Sequence, residues 1–289
     1  MRRTITVLFA VLSLLAVGVT SSAAAPGGDP GGGDNDFSCR LSPEHPRPVV
    51  VLHGLGATYY EDLNFLQADL AQRGWCTFSL TYGAYPGFPF VGGLRAIADS
   101  APEIKAFVQR VAKATGAQKV DIVGHSEGGF QSLYVTKTQG ISHLIDKVVA
   151  IAPPTHGTTF GGLYKLAYLF GSVSRELIDQ VLRLFGCPAC TDLGPDGRAV
   201  KVLNDGPITR PGVTYTIITS RYDEMVTPTE TSFVREPGVT NQYVQDFCPL
   251  DPVGHIGEAY DTNVWHLVRN ALDPANATPI NPCSVGSPG

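Results

Sequence analysis

The chain has 289 residues, of which 43% are hydrophobic and 16% are charged, and its formal net charge is −5. This length allows one large domain with a buried core, and the apolar fraction excludes an intrinsically disordered chain. The acidic balance excludes the basic surface that nucleic-acid binding requires. The sequence therefore predicts a globular protein with no nucleic-acid partner.

The first 25 residues have the three parts of a secretory signal peptide. Arg2 and Arg3 supply the positive end, residues 5–19 form an apolar run, and the alanines at 23–25 supply small residues for cleavage. A retained membrane anchor is the alternative, which the small residues at the cleavage position disfavour. We therefore expect a secreted, extracellular protein.

Beyond the predicted signal, residues 26–36 are rich in Gly, Pro and Asp and are expected to form a flexible arm before a single domain at 37–289. Strands are predicted at 48–53, 76–80, 119–124, 147–152, 214–219 and 242–247, and helices at 60–73, 94–115, 127–138 and 257–272. Pro102 is expected to kink or divide the second helix. This succession is typical of an α/β protein with a mostly parallel sheet and helices on both faces, in which functional residues gather at the carboxyl ends of the strands.

The segment VDIVGHSEGG at 120–129 places Ser126 in a G-x-S-x-G motif between a predicted strand and a predicted helix. In this context the motif forms a tight turn, which presents the serine hydroxyl beside a helix N-terminus that favours negative charge. Gly124 and Gly128 are expected to be small because neighbouring backbone comes close. Ser126 is therefore predicted to be a nucleophile rather than an ordinary turn serine.

A serine nucleophile of this kind needs an acid and a base, which follow it in the order Ser, Asp or Glu, His. His255 lies in a Gly-flanked loop, whereas His266 lies inside the last predicted helix, where packing is the expected role. Asp223 comes just after the strand at 214–219, and its neighbour Glu224 is the alternative acid. Asp223 and His255 are the predicted acid and base.

Two backbone N–H groups are expected to bind the oxyanion of the reaction intermediate. One belongs to Glu127, which follows the nucleophile, and the other to Leu55 in the loop HGLG at 53–56. The carboxylate of Glu127 is expected either to lie at the edge of the oxyanion hole or to face solvent. His53 is expected to orient its loop, and His125 is expected to be packed rather than catalytic.

Six cysteines in a secreted chain favour three disulfides, although their spacing does not decide the pairing. Cys187 and Cys190 form a C-x-x-C motif, which also occurs in redox sites and zinc sites. The motif lacks a preceding strand-to-helix redox context and a second pair of zinc ligands, so a structural loop is favoured. No metal ion and no organic cofactor are expected.

The segments HGLG, VDIVGHSEGG, TSRYDEMVTP and VGHIG, in this order, resemble the secreted α/β-hydrolase lipases of the class 2 lipase family. The resemblance runs from about residue 48 to residue 272. It implies an α/β-hydrolase fold and a triad of Ser126, Asp223 and His255. The disulfides that it implies are Cys39–Cys76, Cys187–Cys190 and Cys248–Cys283.

Compared with the smallest proteins of that family, the chain carries an insertion from about residue 157 to residue 204, with two short amphipathic helices predicted in it. The insertion is expected to cover the face that holds Ser126, either as a mobile lid or as a fixed cap. Six aromatic residues that follow strand ends are candidate walls of a substrate cleft: Tyr59, Tyr60, Tyr82, Tyr85, Phe88 and Phe90.

Together these features predict a secreted serine ester hydrolase, a triacylglycerol lipase or carboxylesterase that forms an acyl-enzyme. The expected substrates are glycerides and other esters with apolar acyl chains, and aliphatic polyesters are a further hypothesis. The alternatives are an acyltransferase or peptidase with the same triad, and a non-catalytic lipid-binding scaffold of the same fold. The chain is expected to be a monomer that contacts a lipid–water interface transiently.

Overall fold

The computed structural model of the protein describes residues 35–86, 89, 91–159 and 186–288. The predicted signal peptide, nearly all of the predicted arm, Phe88, Phe90 and the predicted amphipathic helices at 160–185 lie outside the described residues. Within the described ranges, no helix combines the length and the apolar character that a bilayer-spanning segment needs.

Six strands of the described ranges form one sheet in the order β2-β1-β3-β4-β5-β6, and every neighbouring pair is parallel. They are β1 (Val49–Leu52), β2 (Thr77–Ser79), β3 (Val120–His125), β4 (Ile145–Ile151), β5 (Thr214–Thr219) and β6 (Val239–Tyr243). Strands β1 and β3 are buried along their whole length. This burial explains the unbroken apolar run of β1, because a parallel sheet is covered on both faces. The predicted parallel sheet is confirmed.

The described helices cover the two faces of the sheet. They are α1 (Asn64–Gln72), α2 (Ile97–Thr115), α3 (Glu127–Thr138), α4 (Pro188–Asp192), α5 (Arg198–Leu203), α6 (His255–Glu258) and α7 (Thr262–Leu272), with 3₁₀ turns at Ser142–Leu144, Thr229–Ser232, Val244–Asp246 and Pro274–Asn276. On β1, Val50 and Leu52 pack in a core with α2 and α3, whereas Val49 and Val51 pack in a second core with α1 and α7. Successive side chains of a strand point to opposite faces, so one short strand contributes to both cores.

The second helix is not divided at Pro102, and α2 is continuous from Ile97 to Thr115. Pro102 is the sixth residue of α2, beyond the first turn in which proline is readily accepted, so the helix continues past it with the loss of one intrahelical hydrogen bond. The helix ends as predicted at Gly116, which adopts a left-handed conformation with φ of 70°.

Two predicted elements near the C-terminus are wrong in their limits. β6 ends at Tyr243, in the first residues of the strand predicted at 242–247, because the Asp246 carboxylate accepts a hydrogen bond from the Tyr243 N–H (3.1 Å) and the chain turns there. The helix predicted at 257–272 is two helices, α6 and α7. Asp261 separates them and caps α7 by accepting a hydrogen bond from the Val264 N–H (2.9 Å).

All six cysteines lie in the described part of the chain and form three disulfides, Cys39–Cys76, Cys187–Cys190 and Cys248–Cys283. These are the pairs that the family resemblance implies. Cys187 and Cys190 close a short loop at the start of α4. The helices α4 and α5, which fall within the predicted insertion at 157–204, bury their apolar residues in the same core as α2 and α3.

Asp121 on β3 is a buried acid whose titration should be visible in the stability of the protein. Burial raises the pKa of Asp121 to about 6, although Lys147 and Arg47 lie near its carboxylate. When an acid has a higher pKa in the folded than in the unfolded state, the free energy of unfolding of the protein decreases as the pH rises from the unfolded pKa to the folded pKa. We expect Asp121→Asn to gain up to about 3 kcal/mol in free energy of unfolding, relative to wild type, between about pH 3 and about pH 7.

Urea denaturation of both proteins across this pH range measures the difference, and Asp205→Asn, at an exposed position, controls for the loss of a surface carboxylate. A constant difference between wild type and Asp121→Asn at all pH values would contradict the raised pKa.

Candidate active site

The turn between β3 and α3 holds Ser126 in a strained backbone conformation, with φ of 53° and ψ of −120°. A Cβ atom on Gly124 would lie 2.2 Å from the carbonyl oxygen of Gly128, and a Cβ atom on Gly128 would lie 2.1 Å from that of Leu52. Only glycine fits at either position, as predicted from the motif. The Ser126 N–H donates to the Ile151 carbonyl on β4 (2.8 Å), which fixes the turn to the sheet.

The structure brings Ser126, His255 and Asp223 together from three separate segments. The Oγ atom of Ser126 lies 2.9 Å from Nε2 of His255, and Nδ1 of His255 lies 2.8 Å from Oδ2 of Asp223. Asp223 lies in the turn after β5, and His255 is the first residue of α6 rather than part of a loop. The imidazole and the carboxylate are both buried. This is the arrangement in which a histidine can take a proton from a serine hydroxyl while an acid fixes its other ring nitrogen.

The two neighbouring acids after β5 make different contacts. Besides facing His255, Asp223 accepts hydrogen bonds at Oδ1 from the N–H groups of Met225 and Val226, both at 2.8 Å. Glu224 instead accepts a hydrogen bond from the backbone N–H of His255 (3.2 Å). The geometry therefore favours Asp223 over Glu224 as the partner of the imidazole ring.

The two predicted oxyanion donors are the backbone N–H groups of Leu55 and Glu127. Glu127 is the first residue of α3, so its N–H has no acceptor within the helix. Leu55 lines the same cleft as Ser126, and within the described residues its N–H has no backbone acceptor. Gly93 separates the two residues: a Cβ atom there would lie 3.1 Å from the Leu55 Cα and 2.6 Å from the Glu127 Oε2.

The side chain of Glu127 does not face solvent. It is completely buried, and its two carboxyl oxygens have no hydrogen-bond partner in the described structure. Burial raises the pKa of Glu127 well above its usual value and so favours the neutral form of its carboxyl group. The neutral form carries no negative charge that would oppose an oxyanion at the neighbouring N–H.

A cleft of about 310 Å³ opens beside Ser126. It is lined by Gly54, Leu55, Ala57, Glu61, Asp62, His125, Ser126, Cys190, Met225, His255, Ile256 and Tyr260. Met225, Ile256 and Tyr260 are large and partly exposed, and they make the cleft suitable for an apolar group. Met225 and Ile256 lie in the segments that carry Asp223 and His255, and Tyr260 lies just beyond them, but no sequence pattern indicates that these three side chains face the cleft.

None of the described residues among the predicted aromatic walls lines this cleft. Tyr82 is completely buried, stacks on His53 and donates a hydrogen bond to the His53 carbonyl oxygen (2.7 Å). The other described candidates, Tyr59, Tyr60 and Tyr85, do not line the cleft. His53 accordingly has the orienting role that was expected of it, through Tyr82 and the Gly54 carbonyl oxygen.

A larger depression of about 480 Å³ shares no residue with the cleft. It contains His266, whose Nε2 lies 2.8 Å from the carbonyl oxygen of Thr278. His266 therefore has the structural role that its position in the last helix predicted. In the described part of the chain, no group of three or more His, Cys, Asp or Glu side chains is arranged to hold a metal ion.

Two buried acids near the site were not foreseen from the sequence. Glu258 accepts a hydrogen bond from the Ser220 N–H (2.9 Å), and burial, reinforced by the nearby Asp223, raises the pKa of Glu258 well above its usual value. Asp62, in the turns before α1, has its Oδ1 2.7 Å from Nδ1 of His125. Both contacts join distant segments, and no local sequence pattern signals them.

Comparison with known proteins places these features in a family. The family model described as lipase (class 2) matches residues 46–266. A triacylglycerol lipase of Pseudarthrobacter phenanthrenivorans is 29% identical over 118 residues, which cover 39% of this chain and 34% of the relative. The match thus spans about a third of the length of that relative.

Solved structures share the fold at lower sequence identity. Aspergillus fumigatus lipase B has a TM-score of 0.62 at 18% identity, with 84% of this chain and 54% of the other chain covered. A monoglyceride lipase of Saccharomyces cerevisiae has a TM-score of 0.53 at 17% identity, with 82% and 89% covered. The predicted α/β-hydrolase fold is confirmed.

Proposed function

The chain belongs to the class 2 lipase family, and from this we propose that it is a serine carboxylic-ester hydrolase, a lipase or esterase, with Ser126, Asp223 and His255 as its catalytic triad. The observation that carries the proposal is the continuous contact from Ser126 Oγ through the His255 ring to Asp223, at 2.9 Å and 2.8 Å. These separations are within hydrogen-bond reach, as proton transfer from the serine requires.

In the proposed mechanism, His255 takes the hydroxyl proton of Ser126 while Oγ attacks the ester carbonyl carbon. The N–H groups of Leu55 and Glu127 stabilise the negative charge on the carbonyl oxygen. The imidazolium then gives its proton to the leaving alcohol, and an acyl-enzyme remains on Ser126. Water, activated by His255, releases the carboxylic acid in the second half of the reaction.

The proposed substrates are esters with apolar acyl chains, including glycerides. The cleft supports this class because Met225, Ile256 and Tyr260 place apolar surface next to Ser126. The similar lipase of Pseudarthrobacter phenanthrenivorans is named for triacylglycerol. Aliphatic polyesters are a further proposed substrate with the same ester bond. Clarification of a polyester suspension by the protein tests this activity.

We further propose that the chain is exported and that residues 1–25 are its signal peptide. Three disulfides support this localisation, because such bonds persist in oxidising compartments outside the cytosol. The monomeric state stays a prediction.

The experiment that tests the proposed function is hydrolysis of p-nitrophenyl butyrate and palmitate by the exported chain and by Ser126→Ala. We expect kcat of the variant to fall at least about 10⁴-fold, since no other group can form the acyl-enzyme. The ratio of the two wild-type rates separates an esterase from a lipase.

A folded Ser126→Ala protein that keeps its activity would contradict the assignment of the nucleophile. A folded wild type that cleaves neither ester would favour the non-catalytic scaffold. An ester product formed with added alcohol, in excess of the free acid, would favour the acyltransferase.

A further inference from the structure

His125, the residue before Ser126, is buried between two hydrogen-bond acceptors. Its Nδ1 lies 2.7 Å from Oδ1 of Asp62, and its Nε2 lies 3.0 Å from the backbone carbonyl oxygen of His255. A neutral imidazole has a single N–H, and neither an ionised carboxylate nor a carbonyl oxygen can donate. A neutral His125 beside an ionised Asp62 would therefore leave one of these short contacts without a proton.

The two contacts are satisfied together only when the Asp62–His125 pair holds one additional proton. Asp62 also accepts a hydrogen bond at Oδ2 from the Gly54 N–H (2.5 Å), which stabilises its ionised form. Burial opposes ionisation of both groups, but their mutual attraction prevails: it lowers the pKa of Asp62 and raises the pKa of His125. The two acceptors around His125 and the direction of both shifts therefore favour a carboxylate paired with an imidazolium.

The pair joins the three segments that the proposed reaction needs. Asp62 accepts a hydrogen bond from the N–H of Gly54, the residue directly before the oxyanion donor Leu55. His125 directly precedes the nucleophile and donates to the backbone of the base, His255. Asp62 itself has φ of 70°, a conformation that a non-glycine residue keeps only when its surroundings impose it.

The backbone of His255 is held from both sides. Its N–H donates to Glu224, and its carbonyl oxygen accepts from His125. Because His255 Nε2 must stay within hydrogen-bond reach of Ser126, a shift of this backbone by a fraction of an ångström affects proton transfer directly.

We propose that Asp62 and His125 are positioning residues, which as a charged pair hold the oxyanion loop and the backbone of His255 in place around Ser126. This inference rests on the proposed function. Loss of the proton from the pair at alkaline pH removes the donor to the His255 carbonyl oxygen, so kcat falls there while substrate binding changes little.

Several other ionisable groups face the pair. The His125 and His255 rings are 4.9 Å apart, and the Asp223 carboxylate attracts a charged His125. On the Asp62 side, burial lowers the pKa of His53, which is therefore neutral, and the Tyr260 hydroxyl accepts a hydrogen bond from the Asp62 N–H (3.0 Å). Glu61, the residue before Asp62, contributes by charge repulsion to the raised pKa of the Tyr260 hydroxyl. The Asp62 and Asp223 carboxylates favour the proton on His125.

The first test is Asp62→Asn, which keeps the shape of the side chain and removes its charge. We expect kcat for p-nitrophenyl butyrate to fall about 10- to 100-fold with KM nearly constant. We also expect the alkaline decline of kcat to be absent, because the asparagine NH₂ group can donate to Nδ1 of His125 and so keep the ring proton on Nε2, where it still reaches the His255 carbonyl oxygen. Asp99→Asn, at an exposed position on α2, is the matched control and should show the wild-type profile.

The second test needs no variant. Histidine ring ¹⁵N NMR of the wild type should show both nitrogens of His125 still protonated at a pH at which a free histidine has lost one ring proton. An active wild type in which His125 carries one ring proton, or an Asp62→Asn profile that matches wild type, would overturn the inference and leave the proposed function intact. A wild type that hydrolyses no ester would overturn the proposed function, and this failure is visible separately from the NMR result.

Discussion

Asp223→Asn is expected to lower kcat for ester hydrolysis by about 10⁴-fold in a chain that still folds. The Oδ1 atom of Asp223 accepts hydrogen bonds from the backbone N–H groups of Met225 and Val226, and the carbonyl oxygen of asparagine can keep both contacts. The asparagine NH₂ group would then occupy the position of Oδ2 and donate to Nδ1 of His255. That places the ring proton on Nε2, where it faces Ser126 and blocks proton transfer.

The matched control is Glu224→Gln. Glu224 contacts the His255 backbone rather than its ring, and glutamine retains a carbonyl oxygen for that contact. We expect a decrease in kcat of less than about tenfold. Steady-state kinetics with p-nitrophenyl butyrate, together with thermal unfolding to verify the fold, measure both variants. A larger loss in Glu224→Gln than in Asp223→Asn would make Glu224 the acid and contradict the assignment.

Asp223 does not line the cleft in the described structure, so the loss in Asp223→Asn should appear in kcat rather than in KM. This split distinguishes a defect in proton transfer from a distorted binding surface.

The central part of the fold was predictable because local and tertiary signals agree there. The helix at 127–138 and the strand at 214–219 have the predicted limits. The first starts at the G-x-S-x-G turn, and the second is an apolar run that ends at a polar turn. The order of Ser126, Asp223 and His255 along the chain was sufficient to choose the three residues that the structure brings together.

The segment before α1 shows what the sequence could not reveal. The spacing of Leu63, Leu66 and Leu70 favoured a helix from residue 60, whereas α1 begins at Asn64. Residues before it form turns that carry Asp62 to His125 and Tyr260. These contacts form only after distant segments have packed, so they leave no periodic pattern.

Two other differences have different causes. Asp261 is a residue type that commonly caps a helix, so the start of α7 carried a local signal that the continuous apolar periodicity obscured. For Glu127, no local signal exists: the sequence gives a charged residue at the first position of a helix, where solvent exposure is usual. Its burial depends on how the segments around Gly93 and Leu55 pack against α3.

Gly128→Ala is expected to be the most destabilising of the substitutions considered, with a loss of more than about 4 kcal/mol in free energy of unfolding. In an ordinary helix, Gly→Ala stabilises by about 1 kcal/mol. At position 128, however, the added Cβ atom would lie 2.1 Å from the Leu52 carbonyl oxygen and 2.6 Å from that of His53. Both are backbone atoms at the end of β1, which lies between β2 and β3 and cannot move alone.

Gly129→Ala separates this steric effect from helix propensity, because it lies in the same helix turn. Its added Cβ atom would meet the Ile151 carbonyl oxygen at 3.1 Å and the Gly124 carbonyl oxygen and the Pro153 Cβ at 3.2 Å, contacts that need shifts of only a few tenths of an ångström, so we expect a loss of less than about 2 kcal/mol. Urea denaturation compares the two, with the yield of folded protein as the measure if Gly128→Ala does not fold. Equal stability of the two variants would contradict the close approach of α3 to β1. Because β1 leads directly into Gly54 and Leu55, any folded Gly128→Ala protein should also lose kcat: relieving the clash moves the proposed oxyanion donor away from Ser126.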